Sequence, residues 1–156
     1  MEVIALSPEQ CVELLAGESV GSVGFTTPAG ERRTSVSYVS GPEMVLFRAS
    51  AYSELATYAP GSEVCVVVER LDRHGRGWSV RAQGICARTE DTEERRLVVD
   101  PSDLEAWDGG IRMVALRVRW RTLTGQQSVE PQPGSEPPST SRVERQPDPE
   151  LGGPRS

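Results

Sequence analysis

The chain has 156 residues with a formal net charge of −6, so it lacks the basic excess that a nucleic-acid partner requires. All 17 basic residues are arginine, which excludes lysine chemistry such as Schiff-base formation. The sequence shows no signal peptide and no apolar stretch as long as a membrane span, so we expect a cytoplasmic protein without a membrane partner.

The first predicted element is a helix that begins at Pro8 and ends at Gly17. Ser7 is a good N-cap, and proline is favoured in the first helical turn. The following segment, Val20–Thr26, has the composition of a strand but contains two glycines. Glycine inside a strand indicates that another element or a ligand approaches the backbone closely.

Apolar patterns bounded by turn residues predict five more strands and two short helices. The strands are expected at 33–39, 43–48, 63–71, 77–88 and 111–124, the helices at 52–59 and 91–99, and a loop at 101–110. Small residues in the 77–88 strand suit a tight barrel corner. In the last strand Val114, Leu116 and Val118 alternate with arginines, which indicates a solvated outer face. The fold class is therefore mainly β, a small β-barrel with small helices.

Residues 128–156 form a second region of different composition. They hold seven of the twelve prolines and no aromatic residue, too little apolar surface to offset the entropy of ordering. We predict one folded domain over 1–127 and a Pro-rich disordered C-terminal tail over 128–156.

Histidine and cysteine chemistry is limited. Cys11, Cys65 and Cys86 form no metal-binding spacing, and buried reduced thiols are expected. His74 is the single histidine, so one subunit cannot build a histidine-based triad or a multi-histidine metal site. The sequence identifies no catalytic residue.

The segment from Arg33 to Ala59 is the candidate ligand site. It predicts a strand, a Gly-Pro turn, a second strand and then a polar loop that opens a helix. Backbone N–H groups at such a helix start, at the rim of a sheet, suit a phosphate-bearing ligand. Glu54 weakens this prediction because it is a carboxylate where a cation is expected.

In this order the elements resemble the pyridoxamine 5′-phosphate oxidase-like, FMN-binding split-barrel family in its small actinobacterial form. The markers run from about Leu6 to Gln127 and are LSPEQCVELLAG, VGSVGFT, TSVSYVS, MVLFRAS, AYSELATYA, GWSVRAQGICA and RTLTG. The resemblance implies a six-stranded split barrel and a homodimer with the flavin site at the subunit interface.

The resemblance also implies a set of cofactor-binding residues. Along the flavin ring would run Ser35, Val36, Ser37 and Tyr38, and the ribityl chain and phosphate would be lined by Phe47, Arg48 and Ser50. The phosphate would also meet Tyr52 and Ser53 in the loop before the helix. At the head of the long strand, Trp78 and Ser79 would reach the ring. Many relatives place a basic residue at the position of Glu54.

The function implied is an oxidoreductase that uses FMN, or alternatively the deazaflavin F420, on an unidentified small-molecule substrate. No residue would act as a covalent nucleophile, since the cofactor carries the hydride chemistry. The alternative is a non-enzymatic split barrel that binds a ligand or partner and has lost tight flavin binding, which Glu54 favours. A haem-handling barrel is a third alternative, with His74 as the only axial ligand available.

Overall fold

The computed structural model describes residues 2–99 and 112–129, and this part of the chain is mainly β. Its elements are β1 (Glu2–Ala5), α1 (Pro8–Ala16), β2 (Val20–Thr27), β3 (Gly30–Gly41), β4 (Met44–Ser50), α2 (Glu54–Tyr58), β5 (Glu63–Leu71), β6 (Gly77–Arg88), α3 (Thr92–Val98) and β7 (Met113–Val129). The predicted loop at 101–110 and the predicted tail from residue 130 onward lie outside the described residues.

Six of the seven strands close into a barrel. Neighbours follow the order β7-β4-β3-β2-β5-β6, and β6 pairs back onto β7, with every pair antiparallel. The long strand β7 therefore borders both β4 and β6, and the predicted split-barrel fold is confirmed.

The seventh strand, β1, is an addition that sequence analysis missed. It pairs with the far end of β7, with Glu2 opposite Val129 and Ala5 opposite Gln126. All four of its residues are exposed, so it carries no buried pattern to predict from. This pairing extends β7 to Ser128 and Val129, which sequence analysis assigned to the C-terminal tail.

A β-bulge turns the barrel at Gly84. Gln83 faces Thr122 and Gly84 faces Trp120, so Arg121 is an extra residue on β7. A Cβ atom on Gly84 would collide with the Arg119 carbonyl oxygen. The predicted small-residue corner is thus a point of close approach between β6 and β7.

The barrel interior is filled by alternate strand residues, as the pattern of β7 predicts. Val114, Leu116 and Val118 are buried, and a buried side chain of this size contributes about 1.5–3 kcal/mol. Leu46 is buried too, although it lies between the interior-facing Val45 and Phe47 on β4. Helix α3 packs on β4 and covers this outer side, so both faces of the strand are buried here.

Helices α1 and α2 add side chains to the same core. Ser7 caps α1 in a capping box with Gln10, and Leu15 is fully buried. The Tyr38 hydroxyl donates a 2.6 Å hydrogen bond to the Leu15 carbonyl oxygen, which ties α1 to β3. Burial, the larger cause, and the nearby charge of Glu18 together raise the pKa of Tyr38 to about 12.

The three cysteines are free thiols in two environments. Cys11 and Cys86 are buried, and burial raises the pKa of Cys86 to about 12. Cys65 is only half-buried and is absent from the core cluster, so the expectation of burial is wrong for this residue. Within the described residues, none of the helices combines the length and hydropathy needed to cross a bilayer.

Candidate functional site

The seam between β3 and β4 is open along half its length. Pairing of these strands runs from Gly41 opposite Met44 to Tyr38 opposite Phe47, and within the described residues it ends there. Beyond that point β3 continues paired only to β2, and β4 continues paired to β7. Alternate N–H and C=O groups on the two facing edges are therefore left to bind something other than a neighbouring strand.

A cleft of about 420 Å³ occupies this open seam; we call it the strand cleft. Apolar side chains from four elements line part of it: Phe25, Val36, Leu55 and Met113. Arg32, Arg33 and Arg48 are its basic residues. Apolar walls, strand edges and guanidinium groups together suit a flat ring system that carries an anionic tail.

Ser53 organises the end of the cleft at α2. Its hydroxyl oxygen accepts a 3.1 Å hydrogen bond from the Ala56 N–H, and the hydroxyl donates a 2.7 Å bond to the Ser50 carbonyl oxygen. It is the N-cap of α2, which is only five residues long. Because the hydroxyl is already used in both directions, Ser53 fixes the loop and the position of the next residue, Glu54.

Glu54 is ion-paired inside the cleft. Its Oε1 lies 3.3 Å from Nε of Arg32 on β3, and both side chains are about half exposed. The pair connects the start of β3 to the start of α2 across the open seam. The carboxylate that was expected to repel a phosphate is thus matched by an arginine of the same subunit, and three arginines face one carboxylate in the strand cleft.

Six of the eleven residues predicted to bind the cofactor line the strand cleft. They are Ser35, Val36, Ser37, Arg48, Ser50 and Ser53. Their convergence follows from the hairpin that joins β3 to β4 and from the loop that leads into α2. Tyr38 and Phe47 lie one pair deeper, where the seam is closed, and their side chains are buried in the barrel core.

The other three predicted residues lie outside the strand cleft of this subunit. Tyr52 belongs to the loop before α2, but 85% of its surface is exposed. Trp78 and Ser79 lie on β6, opposite Gln127 and Gln126 of β7, and Trp78 packs against the core cluster. A single copy of the chain therefore does not bring these two residues to the other predicted contacts.

His74 lies in the exposed hairpin between β5 and β6, where Asp72 organises the turn. The N–H groups of Arg76 and His74 donate to Asp72 Oδ1 at 3.0 and 2.8 Å. The hydrogen bond from the Arg76 N–H is the largest cause that holds the pKa of the Asp72 carboxyl below its usual range. Desolvation opposes it, and the His74 N–H and the charge of Arg76 add to the lowering. Within the described residues, no cluster of three or more metal-ligating side chains includes His74.

Sequence analysis missed Arg32 and gave Arg33, the first residue of the candidate segment, no role. The signal available was two consecutive arginines directly after a turn and at the head of the strand that borders the candidate site. Their role depends on contacts between distant segments, such as the ion pair of Arg32 with Glu54, 22 positions later. A local sequence pattern does not predict such a contact.

A second cleft, of about 560 Å³, lies next to the first; we call it the outer cleft. Its residues come from β2, β3, β5 and β6 and include Gly24, Cys65, Arg81 and Gln83. The two clefts share Phe25, Arg32 and Arg33, so they meet at the head of β3.

Comparison with known proteins gives one family. Residues 7–127 match the family described as pyridoxamine 5′-phosphate oxidase. The match covers both clefts and all of the barrel strands except the last two residues of β7. Among the curated proteins compared with it, none matches the chain.

Solved structures share the fold at low sequence identity. An FAD-binding protein from Mycobacterium smegmatis is 21% identical, covers 82% of this chain and 100% of its own, and superposes with a TM-score of 0.64. An FAD-binding protein from Mesorhizobium loti is 17% identical over 83% and 100% of the two chains, with a TM-score of 0.65. A conserved protein of unknown function from Corynebacterium diphtheriae is 25% identical over 81% and 98%, with a TM-score of 0.62.

Proposed function

This chain belongs to the pyridoxamine 5′-phosphate oxidase family, and on that premise we propose that it is a flavin-dependent oxidoreductase acting on a small molecule. The observation that carries the proposal is the open seam between β3 and β4, where two strand edges, apolar walls and three arginines line one cleft. Similarity in fold to two FAD-binding proteins supports a flavin as the ligand. FMN is the proposed cofactor, with F420 as the alternative.

The strand cleft has groups for each part of such a cofactor. Backbone N–H and C=O groups along Ser35–Ser37 can bind the polar edge of the ring. Val36 and Met113 supply apolar contact beside it. Arg48 lies on β4, the other edge of the open seam, and can bind the anionic tail through charge-assisted hydrogen bonds to its phosphate.

The chemical step belongs to the cofactor, which accepts or donates a hydride at its ring when bound. The chain's own contribution is to orient the ring along the strand edges and to hold the tail with guanidinium groups. Apolar lining from Phe25 and Leu55 excludes water from one side of the cleft. This division of labour needs no nucleophilic side chain and no metal.

We further propose that the functional unit is a homodimer with the flavin site at the subunit interface. The strand cleft is open to solvent on one side, and Trp78 and Ser79 lie away from it within one copy. A second copy would supply these two residues to the ring and cover the open side. Three free cysteines are compatible with a reducing compartment, and we place the enzyme in the cytoplasm.

The test is a titration of the purified protein with FMN, FAD, F420 and riboflavin, followed by flavin fluorescence, with the molar mass measured by light scattering. We expect a dimer that binds FMN with a dissociation constant in the micromolar range, about −8 kcal/mol. Absence of binding of any flavin at about 50 µM, where such a constant gives near saturation, would rule the proposal out.

A binding module without redox activity is the second candidate, and the carboxylate of Glu54 in the cleft favours it. The two functions are separated by loading the protein with flavin and reducing it with dithionite without air. An oxidoreductase passes the electrons on to an added acceptor, such as a quinone, faster than free flavin does. A binding module shows no acceleration over free flavin.

A further inference from the structure

Gly24 is a glycine that the packing of the protein does not require. It lies within β2, opposite Arg33 of β3 on one side and Cys65 of β5 on the other. A Cβ atom at this position would meet only two backbone carbonyl oxygens, at 3.8 and 3.9 Å, which are ordinary contacts. At Gly21, by contrast, a Cβ atom would lie 2.8 Å from a core side chain.

The missing side chain of Gly24 opens into the outer cleft. Glycine weakens a strand, since it adds backbone entropy to the unfolded chain and no side-chain contact to the sheet. A strand glycine that packing does not require therefore suggests that a ligand or another chain occupies the space above it. This cleft adjoins the strand cleft but contains residues of β5 and β6 that the strand cleft lacks.

Two arginines flank Gly24 in this cleft. Arg33 is its neighbour on β3. Arg81 of β6 reaches over β5, with Nη1 3.7 Å from the Cys65 sulfur. Neither guanidinium forms an ion pair with any residue that the structure describes, although seven other ion pairs are present there.

The carboxylates of the outer cleft do not cancel this charge. Glu63 is already paired with Arg121 at 2.7 Å. Glu31 is the other acidic residue in the lining, and it lies at the exposed start of β3. Arg33 and Arg81 together therefore give the cleft a local positive charge on a chain whose formal net charge is −6.

We propose that the outer cleft binds a small organic oxyanion, a carboxylate or a phosphate ester, with its anionic group between Arg33 and Arg81 and its body over Gly24. Planar guanidinium groups match the two oxygens of a carboxylate or phosphate in bidentate geometry. The backbone of Gly24 lets a flat group approach the sheet directly. Because the two clefts meet at Phe25 and Arg32, a molecule bound here lies beside whatever occupies the strand cleft.

The inference goes beyond the proposed flavin chemistry and can be tested without it. Arg81 lines the outer cleft but not the strand cleft, so Arg81→Gln removes one anion contact and keeps the lining of the strand cleft. Ser79, a proposed flavin contact, lies two residues away on β6, so flavin binding by this variant is measured beside the anion titration. Arg119→Gln on β7 is the matched control, since it removes the same charge from an exposed position in neither cleft.

The experiment is a titration of the full chain, labelled with ¹⁵N, with inorganic phosphate and separately with benzoate, followed through the backbone amide of Gly24 and the side-chain Nε–H of Arg81. We expect saturable shifts of both signals with at least one probe. Arg81→Gln should weaken the affinity about tenfold, the effect of one charge-assisted contact, and Arg119→Gln should leave it within about twofold. A response to phosphate alone or to benzoate alone identifies which oxyanion the site prefers.

Equal affinities of the wild type and Arg81→Gln would overturn the proposal, as would the absence of a Gly24 shift with either probe. Gly24→Val provides a second variant, because the open space accepts a side chain without a clash. It should abolish the probe response while the chain stays folded with an unchanged molar mass. If it instead separates a dimer, and wild-type Gly24 does not respond to the probes, a second copy occupies the cleft and the proposal is wrong. Flavin binding, measured on the same variants, reports separately on the strand cleft.

Discussion

Replacing Glu54 with glutamine tests whether the strand cleft holds a phosphate. In the wild type, Glu54 pairs with Arg32 at 3.3 Å, with 54% and 41% of the respective side-chain surfaces exposed. Glutamine keeps the size of the side chain but removes its charge. We expect tighter binding of FMN, because Arg32 becomes available to the phosphate and the repulsion between two anions disappears.

The magnitude follows from Coulomb's law. Two unit charges about 5 Å apart interact by about 0.8 kcal/mol in bulk water and about 3 kcal/mol at an effective dielectric constant near 20. Because Glu54 is half exposed, the repulsion lies toward the lower value. The lost ion pair with Arg32 is worth about 0–1 kcal/mol in the free protein, as is usual for exposed pairs. We expect a gain of about 1.4 kcal/mol, which corresponds to about tenfold in the dissociation constant.

The assay compares FMN with riboflavin, which has the same ring but no phosphate, by fluorescence titration at two salt concentrations. Glu54→Gln should tighten FMN binding, more so at low salt, and leave riboflavin binding unchanged. Glu13→Gln, the same charge change at an exposed α1 residue outside both clefts, should change neither. An equal gain for FMN and riboflavin, or no gain at all, would refute the assignment of the phosphate to this end of the cleft.

Three further predictions concern stability. Gly84→Ala should lower the free energy of unfolding by about 1–3 kcal/mol in urea denaturation, since its Cβ would collide with the Arg119 carbonyl oxygen; an unchanged midpoint would contradict the bulge geometry. Glu43→Gly should raise the melting temperature, because Glu43 has φ 64° in the Pro42-Glu43 turn, a conformation that costs a non-glycine residue about 1 kcal/mol; a lower melting temperature would show that the turn is not strained. Burial raises the pKa of Cys86 from its usual 9.0 to about 12, so between these values the folded chain holds a proton that the unfolded chain has lost. The free energy of unfolding should therefore fall as the pH rises above about 9, by at most about 1.4 kcal/mol per pH unit from this group, and Cys86→Ala should show a shallower decline in denaturant titrations from pH 8 to 11.

Much of the barrel could be predicted from local pattern. The bounds of β5 and β6 match the expected 63–71 and 77–88, since continuous apolar runs and flanking turn residues are properties of neighbouring positions. The start of α1 was equally visible, because Ser7 and Pro8 act within one turn of helix. Half of the candidate site came from the family resemblance, which implied Ser35–Ser37, Arg48 and Ser50, and one hairpin brings these residues to the same cleft.

Only the tertiary structure decided where pairing stops and which charges meet. The open seam between β3 and β4 follows from strand twist and barrel closure around six strands, and no sequence pattern within either strand predicts it. The Arg32–Glu54 pair joins residues 22 positions apart, and Gly24 lies between Arg33 and Cys65 through pairings with two different strands. The sequence by itself determined the six barrel strands, the three helices and their order, because those depend on neighbours along the chain. The exposed strand β1 and the site depend on pairings and distances across the barrel, which exist only once it is closed.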